Sequence, residues 1–290
     1  MKIKEKLSGL RMALIRRHIG SHILRALVWL SAGITAAVLI FLIGYMLYRG
    51  VPNLNPGLFA WKYTSDNLSM MPAIVNTVTM VALTLVMAVP IGVCSAIYLS
   101  EYAKKGSRIV ELIRLTTETL AGIPSIVYGL FGYLVFVVAC KFSYSMLSGA
   151  LTLAIMILPT IMRTTEEALR SVPDMYREGS FGLGAGKLRT VFKIVLPSAV
   201  PGILSGVILA VGRIVGETAA LIYTAGTVAG IPGSLLKSGR TLSVHMYALF
   251  SEGMFTDQAY ATGVVLLILV LCINGLSSLA AKKLTSGKGQ

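Results

Sequence analysis

Six stretches of this chain are long and apolar enough to cross a lipid bilayer, near residues 26–48, 73–99, 120–140, 144–162, 200–225 and 259–281. A spanning helix needs about 20 mainly apolar residues. Lipid offers no water to backbone N–H and C=O groups, so only helices and closed barrels cross it. Runs of this length predict an all-α, polytopic membrane protein with six transmembrane helices. Charged residues make up 13% of the chain, against about 25% in a soluble domain. The first run is too long for a signal-peptide core and reads as an uncleaved span. Pro90 and Gly92 lie in the second run, Gly122 and Pro124 open the third, and Gly149 and Pro159 interrupt the fourth.

The formal net charge of +14 raises the possibility of nucleic-acid binding. The placement of the charges excludes it, because they fall between the apolar runs. Alternate loops hold 20 of the 26 Lys and Arg, and the opposite loops hold Arg49, Lys62, Lys141, Lys237 and Arg240. The positive-inside rule then puts both termini in the cytoplasm, which six spans allow. Residues 1–24 alternate basic and apolar positions, compatible with a helix on the membrane surface or with a solvated basic anchor. Cys94, Cys140 and Cys272 lie in apolar runs without metal-type spacing. They read as small buried residues, and neither a disulfide framework nor a metal site is expected. The outer-loop His245 reads as a packed or solvated side chain rather than a pH sensor.

The fifth run contains two charges, Arg213 and Glu217, with Thr218 beside them. An Arg at the centre of a spanning helix costs roughly 2.5–3.5 kcal/mol on insertion scales. Such a residue faces protein or a water-filled path. Residues four apart share a helix face, so the pair reads as an internal ion pair, a solute path, or both. A guanidinium fork suits phosphate oxygens. A bare carboxylate beside it would accept the P–OH proton of phosphate and repel sulfate, which has none. Gly202, Gly206, Gly212 and Gly216 form two pairs suited to close helix approach.

Residues 163–199 form the longest polar stretch. Within it, Gly182-Leu183-Gly184-Ala185-Gly186-Lys187 imitates a phosphate-binding loop but has Phe181 and Leu188 where that motif requires Gly and Ser or Thr. Another pattern fits. Glu178-Gly179-Ser180, three residues, Gly184, nine residues and Ile194-Val195-Leu196-Pro197 resemble the EAA signature of permease subunits in binding-protein-dependent ABC importers. Gly179 and Ser180 replace the two usual alanines. Further segments resemble phosphate-specific permeases of the PstA type: Ala121 to Gly132, Arg177-Glu178, Leu196 to Ile203, Arg213 to Ala219 and Thr241 to Tyr247. The resemblance covers roughly residues 72–282.

The resemblance implies a type I ABC importer permease fold in the cytoplasmic membrane, forming half of a translocation pathway. Its partners would be a homologous second permease, an ATPase dimer and an external phosphate-binding protein. Arg213, Glu217 and Thr218 would line the pathway. Glu178, Gly184, Ile194, Leu196 and Pro197 would couple it to the ATPase. Ala220 stands where the family has proline, which predicts a smoother helix and leaves its break point open. The segments are a basic N-terminus over 1–25, a first span and external loop over 26–71, the transport core over 72–282 and a tail over 283–290. A sulfate or molybdate permease and a phosphate-linked signalling subunit are the rival readings. No cofactor is expected. No nucleophile with a base or metal cluster suggests an enzyme.

Overall fold

The computed structural model describes the backbone of residues 2–104 and 106–286, and the side chains of 24–104, 106–279 and 281–283. The basic segment over 1–25 and the tail over 283–290 fall almost wholly outside the described side chains. Among the described residues the secondary structure is helical: α1 (Lys2–Gly50), α2 (Met71–Ile97), α3 (Arg108–Ala121), α4 (Ser125–Gly132), α5 (Met146–Arg170), α6 (Asp174–Gly182), α7 (Lys187–Thr190), α8 (Leu196–Gly216), α9 (Ala219–Thr224), α10 (Leu242–Glu252) and α11 (Thr256–Ser286). Five segments are long and apolar enough to span a bilayer, and a sixth is made if α3 and the segment running on from α4 count as one bent pair.

That pair extends the third run, expected near 120–140, back to Arg108. The chain turns by 103° between α3 and α4. Pro124 explains the break, since the residue before a proline avoids helical backbone and proline starts a new helix well. The Tyr128 hydroxyl donates to the Leu120 carbonyl at 2.8 Å and pins the corner.

Small residues set where the helices meet. On α5, Ser145 caps the N-terminus by accepting from the Ser148 N–H at 3.2 Å. A Cβ added at Gly92 would stand 2.7 Å from Ile161 Cγ2, and one at Gly202 would stand 2.6 Å from Ala168 Cβ. A Cβ at Gly206 would collide with Thr164. These glycines let α2 and α8 lie directly on α5. The second glycine pair behaves otherwise. Gly212 has only ordinary contact distances to Asn274, and Gly216 meets nothing within 4 Å. Close packing therefore belongs to the first half of α8.

Three apolar clusters follow the bundle. The central one joins α2, α4, α5, α8 and α9 through Met80, Tyr128, Met156, Ile157, Ile214 and Leu221. One end is closed by Leu58, Met70, Leu242 and Leu249. The other, near residues 163–199, is closed by Ile97, Leu169, Val191 and Val195. The three cysteines are exposed on the isolated chain rather than buried. Cys94 and Cys272 lie on α2 and α11 and Cys140 just past the segment that runs on from α4, where an outer face meets lipid or a partner instead of a core.

Candidate transport pathway and coupling loop

One side of α8 is buried through Ile203, Gly206, Ala210, Val211, Ile214 and Val215. The opposite side is open at Ser205, Leu209 and Gly216. Arg213 follows Leu209 by one turn on that open stripe. It is half-buried and forms no hydrogen bond or ion pair with another described residue. Its charge is felt at the Tyr128 hydroxyl of α4. Arg213 also lies in the last turn of α8, where unpaired carbonyls favour a cation.

An Arg213–Glu217 ion pair, one of the readings open from the sequence, does not form. The helix ends at Gly216, and Glu217 adopts extended backbone with φ −71° and ψ 128°. The two residues therefore do not share a helix face. Glu217 Oε1 accepts the Ala220 N–H at 3.1 Å, and the Glu217 carbonyl accepts the Ser243 hydroxyl at 2.6 Å. Glu217 is 8% exposed. The Thr218 hydroxyl turns back to the Gly216 carbonyl at 3.3 Å. A carboxylate that satisfies a free N–H can start a helix without proline. This explains why the chain breaks here despite Ala220. The short α9 then lies against α4, where a Cβ at Gly129 would stand 2.8 Å from Ala220 Cα.

A cavity of about 400 Å³ opens between α3, α5 and α8, lined by Arg114, Glu118, Arg163, Glu166 and Leu209 among others. Arg114 and Arg170 both hold Glu166, at 2.6 and 2.7 Å. Leu209 places this cavity one turn below Arg213 along the open stripe.

The signature loop folds as α6, a tight turn and α7, continuing through a widened helical turn over Val191–Val195 into α8. Gly184 has φ +80°, a conformation that L side chains rarely adopt. Ser180 and Thr190 share a buried hydroxyl contact at 2.8 Å. Ser180, one of the two departures from alanine, thus closes the loop. Gly179 meets nothing within 4 Å. Glu178 is exposed, while Ile194, Leu196 and Pro197 are half-buried where the loop joins α8. Met175, Tyr176, Phe181 and Leu183 are exposed together, Leu183 at 91%. Exposed apolar patches of this kind are surfaces of the sort that partners cover.

Arg177 anchors this loop. Its Nη2 lies 2.7 Å from Glu101 Oε1 and its Nε 3.3 Å from Glu101 Oε2. It also donates to the Val172 and Leu169 carbonyls at 2.8 and 2.9 Å and to Asp174 at 3.1 Å. The sequence offered a weak signal for Arg177, which adjoins the signature, and for Tyr128, which lies in the Ala121 to Gly132 motif. It offered none for Glu101 or Ser243. His245 lies on α10 rather than in a loop and is fully buried. Burial, then Arg240, pushes its pKa down to about 3. It therefore stays neutral near pH 7, as a packed side chain does.

The exposed apolar loop thus leads through α7 into α8, the helix that carries the unneutralised guanidinium, in an all-helical, multi-pass membrane protein. The family model for the binding-protein-dependent transport system inner membrane component matches residues 88–286, and the chain belongs to that family. It is thus a transport component of the inner membrane and not an enzyme.

The probable ABC transporter permease protein YqgI of Bacillus subtilis is 34% identical, covering 89% of this chain and 95% of its own. The phosphate transport system permease protein PstA of Pasteurella multocida is 32% identical, covering 79% and 82%. That of Mycobacterium leprae is 30% identical, covering 91% and 90%. Among solved structures, the bacterial alginate ABC transporter in complex with an alginate pentasaccharide-bound periplasmic protein gives a TM-score of 0.62 at 16% identity, over 89% of this chain and 95% of that one. The inward-facing MetNI methionine ABC transporter gives 0.58 at 19% identity, over 84% and 98%. At these identities the two structures speak for the shared importer permease fold.

Proposed function

We propose that this chain is a permease subunit of a phosphate importer, forming half of the pathway beside a homologous second permease. An external phosphate-binding protein delivers the solute, and two ATPase subunits dock on the 163–199 loop. Both termini and that loop face the cytoplasm. The observation that carries this reading is Arg213: an unpaired cation on the open stripe of α8, in a chain whose relatives include phosphate permeases. The second permease covers that stripe, and the two together enclose the guanidinium in a water-filled path. The cavity beside Leu209, at the coupling end of the stripe, is the exit.

Arg213 supplies a fork for two phosphate oxygens. Thr218 adds a hydroxyl nearby. Glu217 holds the helix break open with one carboxylate oxygen and leaves its charge to accept the P–OH of phosphate. Reconstitution with the binding protein and labelled phosphate or sulfate tests the assignment, and transport of sulfate in preference to phosphate would overturn it. Glu217→Gln keeps the oxygen that caps α9 but loses the charge. Phosphate uptake is expected to fall about tenfold, the loss of roughly 1.4 kcal/mol, and sulfate exclusion to weaken. Unchanged rate and unchanged exclusion would remove Glu217 from selectivity.

Docking on the loop depends on its shape. Proline locks φ near −65°, which the left-handed backbone at Gly184 forbids. Gly184→Pro is expected to let ATP hydrolysis continue while uptake drops at least about tenfold, equivalent to about 1.4 kcal/mol of lost coupling. An unaltered ratio of transport to hydrolysis would exclude a coupling role for this turn.

A further inference from the structure

At the opposite end of the bundle, a second buried arginine has no acid partner. Arg240 is 5% exposed, and no described carboxylate forms an ion pair with it. Its Nε and Nη2 are both sealed from the surface without a hydrogen-bond acceptor. These two nitrogens form the side-on edge of the guanidinium, which meets two oxygens at once. Arg177 presents the same edge to Glu101 in this chain. A buried cation without an acceptor is costly, so its retention calls for an explanation, a bound ion among them.

The surroundings hold this edge in place. The Arg240 N–H donates to the Val228 carbonyl at 3.0 Å. Asn76 Nδ2 donates to the Arg240 carbonyl at 3.1 Å and to that of Gly230 at 2.9 Å. The guanidinium lies 4.6 Å from the centre of the Tyr63 ring, which covers it from the loop preceding α2. His245 stands edge-on to the same ring with centroids 6.1 Å apart. Neither of its ring nitrogens has a hydrogen-bond partner, although the Leu68 carbonyl lies near enough to act on the ring. The same turn of α10 reaches the pathway, since Ser243 bonds the Glu217 carbonyl and Thr241 at 2.6 and 3.1 Å.

We propose that Arg240 and His245 form a second inorganic phosphate site at the external mouth, gated by Tyr63, which receives the anion ahead of Arg213. The proposal rests on the phosphate-import reading and extends it. The occupant must reach nitrogens that have no surface of their own, beside the partly exposed Tyr63 ring. A free inorganic anion is small enough, whereas the side chain of a folded partner is not. A neutral imidazole offers one donor and one acceptor. That pair matches a phosphate carrying both P–O⁻ and P–OH, while the Arg240 edge takes two further oxygens.

Equilibrium binding of labelled inorganic phosphate to the assembled complex, without the binding protein, tests this. Binding is expected to persist in Arg213→Ala and to weaken about 10- to 100-fold when Arg240→Gln is added, the range of a charge-assisted contact. Equal binding in the single and double variants would overturn the site. Arg240→Lys keeps the charge and the assembly without the two-point edge, and is expected to weaken binding about tenfold. Wild-type affinity in that variant, or competition by chloride as strong as by phosphate, would overturn two-oxygen recognition. Tyr63→Leu is expected to speed exchange of bound phosphate, and an unchanged rate would overturn the gate. Failure of the unaltered complex to take up phosphate would instead overturn the import reading while leaving the binding assay intact.

Discussion

Arg213→Ala is expected to lower phosphate uptake by about 100-fold, the scale of a lost charge-assisted contact worth nearly 3 kcal/mol, while the complex still assembles. The second half of that expectation follows from the fold. Among the described residues Arg213 has no ion pair or hydrogen bond to break, so its removal leaves none of their acids stranded. Glu217 keeps its contacts to Ala220 and Ser243. Had the two charges neutralised each other, the substitution would have cost stability as well as transport. Arg213→Lys separates charge from geometry. Lysine places a point charge on the stripe without a planar fork, so uptake should recover little. Near-normal uptake by the lysine variant, measured in reconstituted vesicles, would show that charge alone suffices. A complex that fails to assemble with alanine would show a packing role instead.

Arg177→Ala is expected to uncouple the protein. The side chain links the end of α2 to α6 through both oxygens of Glu101, which is itself largely buried. Removing one member of such a pair strands the other, at about 3–5 kcal/mol for a fully buried case and less here, where Arg177 retains some exposure. The loop should lose its fixed angle to the bundle. ATP hydrolysis would then proceed with little uptake, and thermal stability of the complex would fall. Arg177→Lys can reach Glu101 with one contact and should restore part of both. A normal ratio of uptake to hydrolysis in Arg177→Ala would confine this arginine to stability.

The two variants affect opposite ends of one mechanical element. Seventeen residues of α8 separate Leu196 from Arg213, roughly 26 Å at 1.5 Å per residue. A rigid helix of that length carries a displacement of the loop to the pathway without a chain of intervening side chains. Gly202 and Gly206 allow the lower half of α8 to lie against α5. The upper half, around Gly212 and Gly216, is packed less tightly and carries the charge.

The apolar runs, the loop signature and the isolated charge were legible in the chain because each is a local property. A run of apolar residues spans a membrane whatever its neighbours do. Gly184 was legible through the signature, and its left-handed turn supplies the physical reason for glycine there. The break at Glu217 was not legible, because no proline marks it. A carboxylate caps a helix three residues on, and a hydroxyl 26 residues away bonds its carbonyl. Glu101 and Arg177, 76 positions apart, meet only when α2 and α6 come together. Arg240 looked like one more loop cation until the folded chain buried it.

Composition and periodicity alone thus determined that this is a helical, multi-pass membrane protein with a long polar loop and a charge inside a span. Tertiary structure alone decided that Arg213 and Glu217 part company, that α9 folds back onto α4, and that two arginines at opposite ends are buried in contrasting ways. The reason is reach: hydrophobic spacing acts over a few residues, whereas the partner of a charge is chosen by which helices the bundle brings side by side.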